Sequence, residues 1–441
     1  MGSLPAEDQH VYPSASDPSL VLTHPTAAEK QQTWRLNHGE WGGALDLSAY
    51  LKREPFLAST PLSTDGGMMH WILTETSSSS PTQAQGQDQD QKRRVLASCE
   101  TIRKRVLYAP AAGNRCTEEE EVRVREGLGY GIGSVYTYPE FRGKKYAARM
   151  LKELGVALKT WPKEEEKLRK LEQGPKEAIC SALWSDIGKK FYASKGWPVF
   201  ASGHVEFPAF PSHPSSSPSS PSTPSIGIAS VFEKSNPSSS LALTPVNSTN
   251  LAQLCIEDET QLRAQLIQHA RETGRTAFAF APEVDVFRWH WSREEFIVSH
   301  VWPGRQVSEV RGMVATEEKT RMWAVWARHY GADAATNPAK NTLYILRLVI
   351  SSSSPSSSPD LQLAFNAILH SALDTARTWN CGAVHLWNPT PLTQDLISKA
   401  DIAHSYVHRD VDSIPSMMWY GPKDGQKGAV DWIANEKYCW C

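Results

Sequence analysis

The chain has 441 residues, long enough for about two or three domains. Its 46 Lys and Arg against 48 Asp and Glu leave a formal charge of -2, which gives no support to nucleic-acid binding through a broad basic surface. No apolar run approaches the ~20 residues of a membrane-spanning helix, and seven scattered cysteines argue against a disulfide scaffold.

The opening MGSLPAEDQH has neither a basic flank nor an apolar core, so it does not read as a signal peptide and the expected location is cytoplasmic. Residues 1–17 read as a disordered N-terminus. The run Leu20 to Thr23 is a strand candidate. Thr26 with Glu29 three positions on is a capping-box pattern that starts a helix near Ala27. Met69 to Leu73 and Arg94 to Cys99 read as strands. Gly131 to Tyr138 is rich in β-branched and aromatic residues and breaks at Pro139. After Lys145 the period becomes helical, with Ala147, Met150, Leu151, Leu154 and Leu158 on one face. Ile179 to Trp184 is a further strand, Gly188 to Ser194 a short helix, and Gly196 its end.

Four tracts rich in Ser, Pro or Gln, 76–91, 211–225, 235–240 and 351–359, hold too little apolar surface to offset the entropy of ordering. The tract 209–240 reads as an interdomain linker, separating a domain at 18–208, with a flexible insertion at 76–91, from one at 241–441. The second half repeats the first faintly. LVLTHPT (20–26) resembles LALTPVN (241–247), and ALWS (182–185) resembles HLWN (385–388), which suggests two copies of one α/β unit. The second copy is expected to carry a helix capped by Asp360, with Leu361, Phe365, Ile368, Leu369, Ala372, Ala376 and Trp379 along its apolar face. Ten of the 16 tryptophans lie after residue 240. The cluster Phe287, Trp289, Trp291 reads as half of a core strand, with a wall around a substrate stem as the alternative. Cys439 and Cys441 form a C-x-C that reads as two free thiols.

The stretch SVYTYPEFRGKKYAARML (134–151) reads strand, tight basic loop, helix. Such a corner collects free backbone N–H groups and the positive helix end, with Arg142, Lys144 and Lys145 adding charge, and it suits a pyrophosphate. A second stretch, SDIGKKFYASKGW (185–197), follows about forty residues on.

Together these stretches resemble the GCN5-related N-acetyltransferase superfamily. Pro139, Glu140, Phe141, Arg142 and Gly143 match its strand-to-helix motif, with Ala147 as the last small residue. Tyr192 and Gly196 match its second motif. Four positions depart from the pattern: Lys145 stands where Gly is usual, Ser185 where Asn is common, Gly188 where Ala is common, and Trp197 where Phe is usual. Over most of the chain outside the Ser/Pro tracts the sequence is similar to the fungal lysine N6-acetyltransferases, which pair an acetyltransferase domain with a distinct C-terminal domain. The runs that carry this likeness are Trp34 to Asn37, Ser185 to Trp197 and Asp431 to Cys441.

The resemblance implies an α/β (α+β) fold, with a mixed central sheet flanked by helices and a second, degenerate acetyltransferase-like α/β domain after it. It implies acetyl-CoA as co-substrate and no metal. Val135 and Tyr136 would pair with the pantetheine arm, and Arg142, Gly143, Lys144, Lys145, Tyr146 and Ala147 would hold the pyrophosphate, with Ser185 nearby. Tyr192 would be the general acid that protonates the departing thiolate. The acceptor it implies is the ε-amine of free L-lysine, in lysine catabolism, with no nucleic-acid or membrane partner. Another small amine, a secondary metabolite, a protein lysine, or plain acyl-CoA binding without catalysis remain alternatives. For the base, Glu100, Glu75, His70, His204, Glu206 and the carboxylate of Cys441 are all open. Arg288, Arg311 and Arg347 are possible clamps for a substrate carboxylate.

Overall fold

The capping box at Thr26 forms as the pattern predicts. Glu29 N–H donates to the Thr26 hydroxyl at 3.3 Å, and Thr26 N–H donates to the Glu29 carboxylate at 2.8 Å. It starts α1 (Ala27–Trp41), which follows β1 (Leu20–Thr23) and precedes α2 (Leu47–Ala58). The computed structural model describes residues 12–76, 93–111, 123–164, 177–210, 241–317, 319–352, 358–422 and 430–440. Nearly all of the 76–91 insertion, most of the 209–240 tract and Cys441 thus lie outside the described residues.

The first half continues with β2 (Met68–Glu75), β3 (Val95–Ala109), β4 (Arg125–Thr137), α3 (Tyr146–Glu164), β5 (Ala178–Ser185), α4 (Lys190–Ala193) and β6 (Gly203–Pro208). The second half runs β7 (Ala242–Val246), α5 (Leu251–Thr273), β8 (Thr276–Phe280), α6 (Val284–Val301), β9 (Gly312–Glu317), β10 (Thr320–Tyr330) and β11 (Asn341–Ser352). It ends with α7 (Pro359–Thr378), β12 (Ala383–Trp387), α8 (Pro391–Lys399), β13 (Ser405–His408), β14 (Ile414–Trp419) and β15 (Val430–Trp432).

Two mixed sheets result. The first runs β1-β2-β3-β4-β5-β14, with β8 taking the edge of β3 that β2 leaves after Ile102, and β15 beside β8. The second runs β7-β9-β10-β11-β12-β6, with β13 outermost. Position for position the two orders are the same. In each, the single parallel pair of the main run, β4–β5 or β11–β12, is joined through one long helix, α3 or α7, as a right-handed crossover requires. The sixth place in each sheet is exchanged: β14 of the second half lies beside β5, and β6 of the first half lies beside β12. The chain therefore has the expected mixed α/β sheet followed by a second α/β unit of the same strand order, with one strand crossing in each direction.

Each crossover helix buries the stripe its spacing marks out. Met150, Leu151, Leu154 and Leu158 of α3 close over Ile72, Leu96, Ile132 and Leu183. Leu361, Phe365, Ile368, Leu369, Ala372 and Ala376 of α7 close over Val205, Phe207, Leu343, Ile345 and Leu386. A third core joins the sheets, with Val106, Ile179 and Trp184 from one meeting Trp323, Leu346 and Trp387 from the other.

Three expectations are corrected. The 287–291 aromatic run lies in helix α6, not in a strand; its alternation fits both periods over five residues, and only the longer stripe through Glu294, Ile297 and Val298 decides. Ser358, not Asp360, caps α7, accepting from Asp360 N–H at 3.3 Å. Order begins before residue 18: Pro13 and Ala15 carbonyls accept from the Tyr146 hydroxyl at 2.6 Å and from Arg149 at 3.0 Å. No helix among the described residues is long and apolar enough to cross a membrane.

Candidate active site

β4 and β5 pair only as far as Ile132 and Leu183. Beyond that point β4 runs on to Thr137 and β5 to Ser185, so the two strands part. A bulge on β4 produces the divergence. Glu100 of β3 faces Gly133 and Ser98 faces Tyr136, so one extra residue is fitted on β4. Ser134 takes φ +51° there, and its hydroxyl donates to Glu100 Oε2 at 3.1 Å. A cavity of about 170 Å³ opens in the gap.

Val135 and Tyr192 line this cavity together. Tyr192 is held by α4 and is 7% exposed. Burial pushes its phenol well above the ordinary tyrosine value, with Asp186 adding to the shift, so at neutral pH the hydroxyl carries its proton. Tyr136 sits in the β3–β4 ladder, and its ring lies under the Arg142 guanidinium at 5.4 Å.

The loop after β4 turns at the 3-10 segment Pro139–Phe141 and enters α3 at Tyr146. Gly143 has φ +79°, and the space where a side chain would stand is open. Lys145, at the position where Gly is usual, has φ +67°, which explains the family preference: this conformation is left-handed and favours a residue without Cβ. Among the described residues no acceptor meets the N–H of Gly143, Lys145, Tyr146, Ala147 or Ala148. These are the unpaired donors of a helix start, with exposed Arg142, Lys144 and Lys145 beside them. Lys144 leans over the Tyr12 ring at 5.0 Å. Ser185 is placed differently from its neighbours in the motif. Its hydroxyl donates to the Gly188 carbonyl at 2.7 Å and accepts from Ile187 N–H at 3.3 Å, so it closes its own turn.

The cavity is rich in charge. Glu100 is half-buried on β3 and receives Ser134, the Trp34 indole N–H at 3.4 Å and His70 Nδ1 at 3.2 Å. Burial alone would raise its pKa; the His70 hydrogen bond and charge, with Ser134 and Trp34, outweigh it and hold the carboxyl below the usual glutamate range. Glu54 and Arg53 of α2 pair at 2.6 Å. Burial pushes Glu54 up against the pull of Arg53. Arg293 of α6 meets His329 Nδ1 at 3.2 Å, and burial lowers it to about 9. Asp186 is also raised by burial. Trp289 and Trp440 supply apolar wall from the second half, the wall that 289 was considered for. Sequence reasoning missed Arg53, Glu54, Arg293 and Trp440, which come from three distant segments; no motif surrounds the first three, and the 431–441 run marks Trp440 without giving it a role.

The remaining candidates lie elsewhere. Glu75 pairs with Arg94 at 3.5 Å on the β2 edge. His204 and Glu206 are on β6 in the second sheet. Arg288 is half-exposed near Asp285 at 3.8 Å. Arg311 is buried against Glu294 at 2.5 Å, and Arg347 against Asp258 at 2.7 Å and against Glu436. None of the three arginines reaches the cavity, so the clamp expectation moves to Arg53 and Arg293.

The second unit has the same parting of strands but fills it. β11 and β12 pair from Thr342–Ala383 to Ile345–Leu386 and no further. Leu348 N–H then donates to the Glu436 carboxylate at 2.9 Å, and Arg347 pairs with the same group. The segment around Lys437–Cys439 thus occupies the second gap, while among the described residues the gap of the first unit stays open.

Solved structures with similar chain paths include a probable N-acyltransferase of Enterococcus faecalis V583, 10% identical with TM-score 0.45, covering 90% of this chain and 72% of that one. Another is Saccharomyces cerevisiae N-myristoyltransferase with bound myristoyl-CoA, 9% identical with TM-score 0.44, covering 92% and 80%. An uncharacterized protein of Saccharomyces cerevisiae is 21% identical over 457 aligned positions and 98% of each chain. A lysine acetyltransferase of Yarrowia lipolytica is 25% identical over 174 residues, 38% of this chain and only 38% of that relative's length. The chain resembles the GCN5-related N-acetyltransferases. More narrowly, residues 228–441 match the family described as LYC1 GNAT-like C-terminal domain.

Proposed function

We propose that this protein transfers the acetyl group of acetyl-CoA to the ε-amine of free L-lysine. The observation that carries the reading is the open gap between β4 and β5, in which a protonated buried phenol, an ionised half-buried glutamate and a carboxylate–guanidinium set share one cavity. Acetyl transfer within the superfamily rests on the N-terminal motifs and the C-terminal family match. The lysine acceptor takes further support from the Yarrowia relative's name.

In this reading the N–H groups of Gly143 and of Lys145 to Ala148 hold the pyrophosphate, and the pantetheine arm runs along the free edge of β4 at Val135 and Tyr136. The thioester carbonyl then lies by the bulge, where a main-chain N–H polarises it. A lysine ε-amine has a pKa of ~10.4 and must lose a proton before attack; Glu100 takes it, directly or through water. The neutral amine attacks the carbonyl carbon, the C–S bond breaks as Tyr192 gives its proton to the leaving sulfur, and the proton shed by the acylated nitrogen restores the Tyr192 hydroxyl, directly or through water. The products are the N-acetyl amine and free CoA. Arg53 and Arg293 receive the α-carboxylate, Glu54 the α-ammonium, and Trp289 and Trp440 flank the aliphatic stem.

Thiol release with acetyl-CoA and an amine panel, with products identified by mass, tests this. L-lysine is expected to be acetylated at Nε, and 1,5-diaminopentane, which lacks the carboxylate, to have the higher KM. Equal kcat/KM for the two amines removes the arginine clamp. No turnover with any amine, alongside CoA binding, leaves a binding module.

A further inference from the structure

On the second sheet, away from the acetyl-transfer cavity, β6 and β12 bring three ligating side chains to one face. Glu206 lies directly opposite His385, and His204 opposite Trp387; residues two apart on a strand share a face, so His204, Glu206 and His385 stand together. His385 Nε2 is 3.2 Å from Glu206 Oε2. The His204 and His385 rings stack with centroids 4.4 Å apart. One ligand atom from each of the three lies within 4.8 Å of the others.

His204 is 8% exposed, and among the described residues neither of its ring nitrogens has a hydrogen-bond partner. A buried imidazole with two idle nitrogens is costly, and the neighbouring ligand atoms point to what would satisfy it. We propose that His204, Glu206 and His385 form a site for a divalent transition-metal ion of the zinc class, which clasps the exchanged strand β6 to β12.

The chemistry of the donor set fits. Two imidazoles and one carboxylate are a common three-ligand set for zinc, with water in the remaining position. Metal–ligand bonds of about 2.1 Å place ligand atoms about 3.3 Å apart; the His385–Glu206 pair already has that spacing, and the stacked His204 ring must turn out of its stack to join it. Glu206 is 40% exposed at its side chain, which gives an ion its way in. Two cations oppose binding. Arg409 lies over the Trp387 ring at 3.8 Å and Lys437 over the same ring at 4.4 Å, against the strand that carries His385. The affinity is therefore expected to be modest, and selective for ions that favour nitrogen over oxygen ligands.

The test uses the full chain, stripped with chelator and titrated with Zn2+ alone, read by calorimetry and by bound-metal analysis after dialysis. The expected result is one zinc per chain and a melting temperature that rises with zinc. Glu206→Gln, a nearly isosteric change at a partly exposed position, should weaken zinc by roughly tenfold or more while leaving the metal-free melting temperature unchanged. Absence of stoichiometric uptake, or uptake that persists unchanged in Glu206→Gln and in a His204→Ala/His385→Ala double variant, overturns the site. A cobalt-loaded protein gives a second readout, because its visible absorption reports the coordination number.

Discussion

Lys145 shows how one residue can depart from a motif and still keep its geometry. It holds φ +67° at the mouth of α3, a conformation that costs a side-chain-bearing residue about 1 kcal/mol. Its exposed ammonium stands beside five unpaired N–H groups, so the strain is offset if the charge contacts a phosphate. Lys145→Gly should then raise stability by up to about 1 kcal/mol and weaken CoA binding a few-fold; Lys145→Ala should weaken CoA without the gain. Calorimetry with CoA and thermal melting of both variants separate the two effects. Tyr192 is tested by pH. Its phenol is raised by burial, so the proton-donor form persists beyond the ordinary value of about 10. kcat should therefore show no alkaline fall below about pH 10, while kcat/KM rises with pH as the amine loses its proton. A fall centred near neutral pH would exclude this phenol as the acid. Tyr192→Phe should lower kcat by about 10²-fold with little change in CoA affinity. The motif made Tyr192 and the loop legible in the sequence. Arg53, Glu54 and Arg293 were not, because α2 and α6 come together only through tertiary packing.

Among the elements, those with long, consistent periodicity were readable: α3 and α7 bury the stripes their spacing marks. The repeat was also faintly readable, since LVLT and LALT open β1 and β7, and ALWS and HLWN close β5 and β12. What spacing does not report is that the second gap is filled. Arg347 there bridges Asp258 and Glu436, and all three are buried. Such a triad is weak evidence of net stability, but breaking it is expensive. Arg347→Met should destabilise the fold by about 3–5 kcal/mol, measured by denaturant unfolding at neutral pH. Burial already raises the Glu436 carboxyl against the pull of Arg347, and without the guanidinium that pull is lost. The penalty of the charged Glu436 is full above its folded value and fades as pH falls through it, so the deficit against the parent chain should shrink in acid. A deficit that does not change with pH would point to lost packing instead.

At the level of the whole molecule the exchange of β6 and β14 decides how the halves depend on each other. Local pattern marks 203–208 as a strand but says nothing of which sheet it joins, so a boundary at 208 looks clean in the sequence and is not in the fold. β6 carries Val205 and Phe207 fully buried into the second core and has β12 on one side and β13 on the other. β14 carries Ile414 and Met417 and pairs with β5 from Ile414–Ser185 to Trp419–Cys180. Removing either strand uncovers a sheet edge and forfeits about 1.5–3 kcal/mol for each large buried side chain, a large share of the stability of a domain of this size. The 1–210 and 241–441 pieces expressed separately should therefore aggregate or remain unfolded, and should recover CoA binding only when co-expressed. The intact chain should unfold in one transition, with intrinsic fluorescence and circular dichroism coinciding. Two separated transitions, or a 1–210 piece that binds CoA alone with the affinity of the full chain, would show that the crossed strands are dispensable and that the first unit is autonomous.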